Sequence, residues 1–296
     1  MSLARAWVAG FLAAERLPPA YETVIDHVAA PLAEWAASQA VSGITFRLGL
    51  CGPQASGKST LTAVLARLLA ERGLTVAVLS LDDLYLSRSA RSELAAAVHP
   101  LLRTRGPPGT HDLDLGHAVF DQLQQSGPVP LPRFSKAQDD PVPRADWPTV
   151  QGPVDVVLFE GWCVGAQAQS PEALLPPVNR LEAEEDPDGV WRDHVNRQLA
   201  GAYQGFFSRL DRLIYLRPPS FEVVLSWREE QEAKLRRRLA QTGESAGQVM
   251  DAPAVARFIQ HYERLTRAMM ADLPARADLT LQLDAARRIE PFSLPR

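Results

Sequence analysis

The chain is poor in the residues that build covalent or metal-centred folds. It has two cysteines, Cys51 and Cys163, too few for a disulfide framework, and a reduced compartment is the default reading. Its six histidines fall in no HExxH-type or CxxC-type spacing, so no structural metal is expected. A basic excess is missing too: 31 Lys and Arg face 35 Asp and Glu, a net charge of −4 that does not favour a nucleic-acid partner. No apolar run approaches the roughly 20 residues of a membrane span, so no membrane partner is expected. The apolar stretch at 7–14 is short, is ended by Glu15 and Arg16, and precedes no A-x-A cleavage pattern. It reads as an amphipathic surface helix, and the protein as cytoplasmic. Internal repeats and low-complexity tracts are lacking as well.

What is there is a soluble-type composition in 296 residues, 46% apolar and 22% charged, enough for one large core. Hydrophobic spacing predicts helices over 3–15 and 20–39, split by Pro18-Pro19, then over 58–71, 114–125, 190–208, 221–240 and 251–271. Gly73 and Gly243 are expected helix stops, and Ser220 an expected cap. Strands are expected over 44–52, 74–83, 154–162, 210–219 and 277–283. Strands alternating with helices predict an α/β fold on a mainly parallel sheet. Between 100 and 150 the chain turns rich in Pro and Gly, and long loops of that kind are often functional.

The most informative stretch is LGLCGPQASGKSTLTAVLARLL, residues 48–69. Gly52-Pro53-Gln54-Ala55-Ser56-Gly57-Lys58-Ser59 fits G-x-x-x-x-G-K-[ST], and Thr60 follows, between an expected strand and an expected helix. Glycines let backbone N–H groups turn inward around phosphate oxygens, and the helix N-terminus adds partial positive charge. Lys58 is placed to reach the β and γ phosphates, and Ser59 to offer its hydroxyl to Mg²⁺. The motif implies nucleotide binding and leaves the reaction open.

Two further strand ends carry acids: Asp82 and Asp83 in LSLDDLY, and Glu160 in VVLFEGW. Ligands of open parallel sheets sit at the C-terminal ends of strands. Acids there can hold Mg²⁺ directly or through water, or take a proton from an attacking hydroxyl; they can also be plain caps and turn residues. Asp82 is the expected base and Asp83 its neighbour or a substrate contact. The loops add Arg103, Arg105, Thr110, His111 and Asp112, then Arg133 and Lys136. Cations in such loops suit a small anionic substrate, although solvated loop charge reads equally well. His111 alone is more often a packed or capping histidine than a catalyst. The charged helix at 221–240 carries Arg228 and Lys234 in a pattern of ordinary i,i+4 pairs, or serves as a lid that brings Arg228 to the transferring phosphate and excludes water.

GPQASGKST, SLDDLYL, HPLLRTRGPPGTHD, LPRFSKAQDD, FEGWCVG, NRLEAEEDPDGVWRDHVN, PSFEVVLSWREEQE and YERLT occur in this order. Over about 45–285 the chain closely resembles the plant and cyanobacterial type of D-glycerate 3-kinase and its yeast and bacterial kinase-like relatives. That group is similar in turn to uridine kinase, phosphoribulokinase and pantothenate kinase, in which a P-loop is followed by a strand-end Asp before an aromatic. Here SLDDLY aligns that Asp with Asp82, and Leu84 replaces the usual Phe.

The resemblance implies a three-layer P-loop kinase fold and ATP-dependent phosphorylation of a small hydroxyl substrate, D-glycerate first, giving 3-phosphoglycerate. It implies ATP and Mg²⁺ as cofactors, Lys58 and Asp82 as catalytic residues, and Ser59, Glu160 and Asp82 around the metal. Asp83, Tyr85, Arg105, His111, Arg133 and Lys136 are substrate candidates, and Arg228 belongs to the lid. The organisation it implies is an N-terminal helical segment, 1–40, packed on a kinase domain, 41–296, with a substrate-loop insertion at 100–150 and a lid at 219–245. By analogy adenine lies near the lid and residues 283–289. A kinase for a nucleoside, pantothenate or a polyol stays open, as does a partner-stimulated ATPase. A GTPase would need N-K-x-D, which the sequence lacks, and the DPDG at 186–189 has no strand before it.

Overall fold

Five strands run in parallel, and two of them are buried along nearly their whole length. They are β1 (Phe46–Cys51), β2 (Val76–Ser80), β3 (Val156–Gly161), β4 (Arg212–Arg217) and β5 (Leu279–Gln282) in the computed structural model, which describes residues 5–242 and 250–295. Their order across the sheet is β2-β3-β1-β4-β5. Every residue of β3 is buried, as is all of β1 except Arg47, so these central strands read as continuous apolar runs covered on both faces.

Register fixes the functional edge. Glu160 near the end of β3 lies opposite Leu50 of β1 on one side and Ser80, the last residue of β2, on the other. The turns that leave β1, β2 and β3 therefore open side by side.

The main helices are α1 (Val8–Glu15), α2 (Ala30–Gln39), α3 (Lys58–Ala70), α4 (Arg88–Ala97), α5 (Leu113–Gln122), α6 (Val190–Gln198), α7 (Phe221–Thr242) and α8 (Ala252–Asp272). On α3 an apolar stripe of Leu61, Val64, Leu65, Leu68 and Leu69 is buried. One core joins α1 and α2 to the sheet, with Phe11, Leu32, Leu48, Leu65, Phe159 and Leu281 in a single cluster. Phe120, Phe159 and Phe206 form a ring cluster inside it, with centroids 4.9–5.5 Å apart.

Several sequence expectations shift. The helix expected over 20–39 runs without a break from 21 to 39, as Tyr21–Val24, a wider turn at Ile25–Ala29, and α2. Pro31 has no N–H to donate to the carbonyl four residues back, so the chain loosens just before it. The helix α4 went unforeseen, although Ser87 caps it by accepting from Ala90 N at 3.1 Å. The Pro-rich stretch after α5 is not plain loop. Gly127–Pro130 pairs with Thr149–Gly152, and Phe134–Ser135 with Asp140–Pro141, in two small antiparallel ribbons. Two-stranded ribbons are all edge, where proline is tolerated. Residues 3 and 4 of the first expected helix, the expected stop at Gly243 and the far end of the 219–245 segment lie outside the described residues.

Candidate active site

The turn after β1 carries the phosphate cradle. Gly57 has φ +90° and Ala55 φ +59°, left-handed conformations that turn successive N–H groups toward one side. The helix α3 begins at Lys58, so its free N–H groups face the same side. Gly52, Pro53 and Ser56 are buried beneath the loop, while Gln54, Ala55, Gly57, Lys58, Ser59 and Thr60 line a cleft of ≈690 Å³.

Glu160 reaches this loop from β3. Ser59 Oγ donates to Glu160 Oε1 at 2.9 Å, and Lys58 Nζ lies 3.8 Å from Glu160 Oε2. That second oxygen is buried with no hydrogen-bond partner among the described residues. A hydroxyl and an unsatisfied carboxylate oxygen are hard oxygen donors of the kind Mg²⁺ takes, one or two per protein, with phosphates and water completing its shell. The donors of Ser59 and Glu160 thus fit the ion. Among the described residues no group of three or more His, Cys, Asp and Glu side chains could hold a metal.

The turn after β2 places two aspartates. Ser80 Oγ accepts from Asp82 N at 3.2 Å and starts the short turn Leu81–Leu84. Both carboxyls line the cleft, but with different partners. Asp82 Oδ2 accepts from Lys136 Nζ at 2.6 Å, and Asp82 Oδ1 from Tyr85 OH at 2.7 Å. Burial works to raise the Asp82 pKa. The ammonium groups of Lys136 and Lys58, with those two hydrogen bonds, outweigh it and hold the carboxyl well below the usual range. Asp83 instead accepts from the Phe134 backbone N–H at 3.2 Å and from Arg133 Nη1 at 3.3 Å. Burial pushes its pKa up to about 6, against the pull of Arg133 and the Phe134 N–H. Asp83 thus holds the loop at 133–134.

Backbone pairing brings the 105–112 loop alongside. Leu86 N donates to Thr110 O at 2.9 Å, and Asp112 N to Leu84 O at 2.7 Å. Arg105 lines the cleft, ion-paired to Asp139 and lying 5.8 Å over the Phe134 ring. Its turn is gripped from α8 and from beyond β3: Tyr262 OH donates to Arg105 O at 2.9 Å, and Trp162 Nε1 to Gly106 O at 3.0 Å. Gly106 has φ +119°, and a Cβ there would lie 2.1 Å from Tyr262 OH, so only glycine fits.

The remaining candidates divide between the cleft wall and positions behind it. His111 does not line the cleft. Its ring packs 4.7 Å from the Tyr85 ring and its Nδ1 lies 2.6 Å from Tyr203 OH; burial lowers its pKa to about 3, so it is neutral. Thr110 is buried and donates to Pro107 O at 2.7 Å, Asp112 caps α5 through Leu115 N, and Arg103 is exposed. Tyr85, Lys136 and Arg228 line the cleft, and Arg133 supports it through Asp83. Arg228 is engaged by Glu232 and Gln231, and its guanidinium lies 5.5 Å over the Phe258 ring.

Sequence reasoning missed Phe134, Trp162, Phe258, Tyr262 and Arg287, all on the cleft wall. It also missed the buried Arg91, whose guanidinium donates to the carbonyls of Leu86, Arg103 and Asp139 and ties three loops together. No local pattern marks these residues. Only the 283–289 expectation pointed near Arg287, which donates to Ala55 O at 3.0 Å and pairs with Glu230 at 2.6 Å.

This geometry has relatives. A sequence profile of the phosphoribulokinase/uridine kinase family matches residues 48–168. The uncharacterised kinase mug58 of Schizosaccharomyces pombe is 32% identical over 231 residues, 74% of this chain and 79% of the relative. The chain belongs to this family of P-loop kinases. The chloroplastic D-glycerate 3-kinase of Arabidopsis thaliana is 27% identical over 254 residues, 81% of this chain but 53% of the plant protein. In fold, the chain is similar to the D-glycerate 3-kinase structure from Cryptococcus neoformans, with a TM-score of 0.72 at 24% identity over 91% of this chain and 98% of that one. The YGR205w protein gives 0.70 at 22% identity, over 93% and 98%. Among the described residues no helix is long and apolar enough to cross a membrane.

Proposed function

We propose that this kinase transfers the γ-phosphoryl group of ATP to the 3-hydroxyl of D-glycerate, giving ADP and 3-phosphoglycerate. The observation that carries the proposal is one cleft holding both the cradle of Lys58 and Ser59 and the ionised Asp82, with Arg105 and Lys136 in its wall. An acceptor bearing a carboxylate suits such cations, and Arg105 offers a fork that matches it. Similarity to the plant D-glycerate 3-kinase supports the choice of acceptor.

In this reading the loop from Gly52 to Thr60 holds the nucleotide phosphates through backbone N–H groups. Lys58 stabilises charge on the transferring group. Ser59, Glu160 and Asp82 hold Mg²⁺, which when bound neutralises charge developing on the phosphate oxygens. Asp82 accepts the proton as the acceptor oxygen bonds to phosphorus and the bond to the ADP oxygen breaks. Its low pKa keeps it ionised and ready at neutral pH, and a loose transition state asks little basicity of it. Lys136 and Arg105 orient the acceptor. The lid helix α7 closes with Arg228 over the phosphates and excludes water, and the setting is cytoplasmic. Incubating the purified protein with Mg·ATP and D-glycerate and following ³¹P resonances tests the proposal. A 3-phosphoglycerate signal supports it, and its absence beside intact ATP counts against it.

A further inference from the structure

Four non-glycine residues among those described have positive φ: Arg16 (54°), Ala55 (59°), Asp139 (58°) and Arg287 (63°). All four belong to the active-site cleft. Ala55, Arg16 and Arg287 line it, and Asp139 pairs with Arg105, which does. Such conformations cost on the order of 1 kcal/mol and cluster where a site is over-determined. Three have visible reasons. Ala55 shapes the cradle, Arg287 bonds its carbonyl, and Asp139 holds two arginines.

Arg16 is the fourth. It ends α1 in the left-handed position, with its own N–H bonded to Ala13 O and that of Leu17 to Leu12 O. This is the helix stop where glycine is cheapest. The chain places an arginine there instead, and among the described residues its guanidinium has no ion-pair or hydrogen-bond partner. The cations across the cleft are all engaged: Lys136 by Asp82, Arg105 by Asp139, Arg287 by Glu230.

Packing ties α1 to α3, the helix of the cradle. Trp7, just before α1, donates to Glu71 just past the end of α3, and Arg67 on the last turn of α3 lies 5.5 Å over the Trp7 ring. The helix α1 then spans about 12 Å. Its C-terminal end lines the same cleft as Gln54, Ala55 and Gly57 of the phosphate loop. Arg16 therefore comes to the cleft from the helix packed on α3, the helix of the cradle, and not from the insertion that carries Lys136. Glu15 and Leu17 flank it in the cleft wall. A planar guanidinium, a carboxylate acceptor and an aliphatic side chain suit a nucleoside: a flat base to stack on and ribose hydroxyls to bind.

We infer that the turn Glu15-Arg16-Leu17 is a nucleoside subsite, in which Arg16 packs on the base of the bound nucleotide. The inference rests on the kinase reading of the cleft but not on the identity of the acceptor.

Calorimetric titration of the full chain with Mg·ADP and, separately, Mg·pyrophosphate tests it without any acceptor. Arg16→Gly is the sharpest variant, since glycine keeps the helix stop while removing the guanidinium. The expected result is about tenfold weaker ADP binding, unchanged pyrophosphate binding and an unchanged melting temperature. Glu15→Gln is expected to weaken ADP a fewfold in the same pattern. Unchanged ADP affinity in Arg16→Gly overturns the inference. An equal loss for pyrophosphate also overturns it, because Arg16 then contacts phosphate. Wild-type protein that binds neither ligand overturns the kinase reading and the subsite together. Absence of turnover with D-glycerate alongside the expected binding pattern counts against the acceptor only.

Discussion

Lys136 Nζ lies 2.6 Å from Asp82 Oδ2, so the proposed base is capped by a cation from a ribbon 54 residues further along the chain. The pair links the turn that leaves β2 to the insertion at 100–150. It also keeps Asp82 ionised before any substrate arrives.

Asp82→Asn is expected to lower kcat by about 10²–10⁴ while the protein stays folded, the usual worth of general base catalysis. Steady-state kinetics beside a melting curve checks this. A loss of only a fewfold removes Asp82 from the role of base.

Glu160→Gln keeps the shape at the end of β3 and removes the charge facing Ser59 and Lys58. The Mg²⁺ concentration for half-maximal rate is expected to rise about 10–100-fold, with the acceptor KM little changed. A magnesium titration at saturating ATP reads this directly. An unaltered requirement places the metal elsewhere.

Asp83 anchors Arg133 and the Phe134 N–H, and so sets the ribbon that carries Lys136. Asp83→Ala is expected to raise the acceptor KM about tenfold or more and to leave the ATP KM near wild type. Losing a hydrogen-bonded charge pair costs about 1.5–3 kcal/mol. Equal changes in both constants contradict an anchoring role.

Stability is expected to fall between pH 6 and pH 4. Burial lowers the pKa of His111 to about 3 and of His261 to about 4, from an unfolded value near 6.5. The unfolded chain takes these two protons first, so each histidine subtracts stability as pH falls. Asp83, raised to about 6, takes its proton first in the folded state and adds stability over the same window. His194, lowered chiefly by burial, acts in the same sense, so the histidines outweigh Asp83 and stability falls with pH. Urea titrations at pH 6 and pH 5 check the sign. Equal or greater stability at pH 5 contradicts it.

Much of the sheet and the phosphate-loop side of the cleft was legible in the sequence, because each feature there is local. The cradle is eight consecutive residues, and Asp82 and Glu160 each stand at the end of an apolar run. The side of the cleft built by the insertion is different. Arg105 meets Asp139 34 residues on, and Tyr262 reaches the Arg105 carbonyl across 157. Such contacts leave no periodicity to read. Proline masked the ribbons for a related reason, since their pairing is short and lies at edges. His111 reads in sequence as a substrate candidate or a packed histidine, because polar loop residues resemble one another; its packing against Tyr85 keeps it off the cleft wall.

The most direct test of the account is the rate of ADP release with Mg·ATP and no acceptor, then with D-glycerate, L-glycerate, uridine or pantothenate. The account predicts a rate that depends strongly on D-glycerate and barely responds to the others. A response to a different acceptor alone contradicts the substrate assignment, and equal ADP release with no acceptor contradicts the transfer reaction itself.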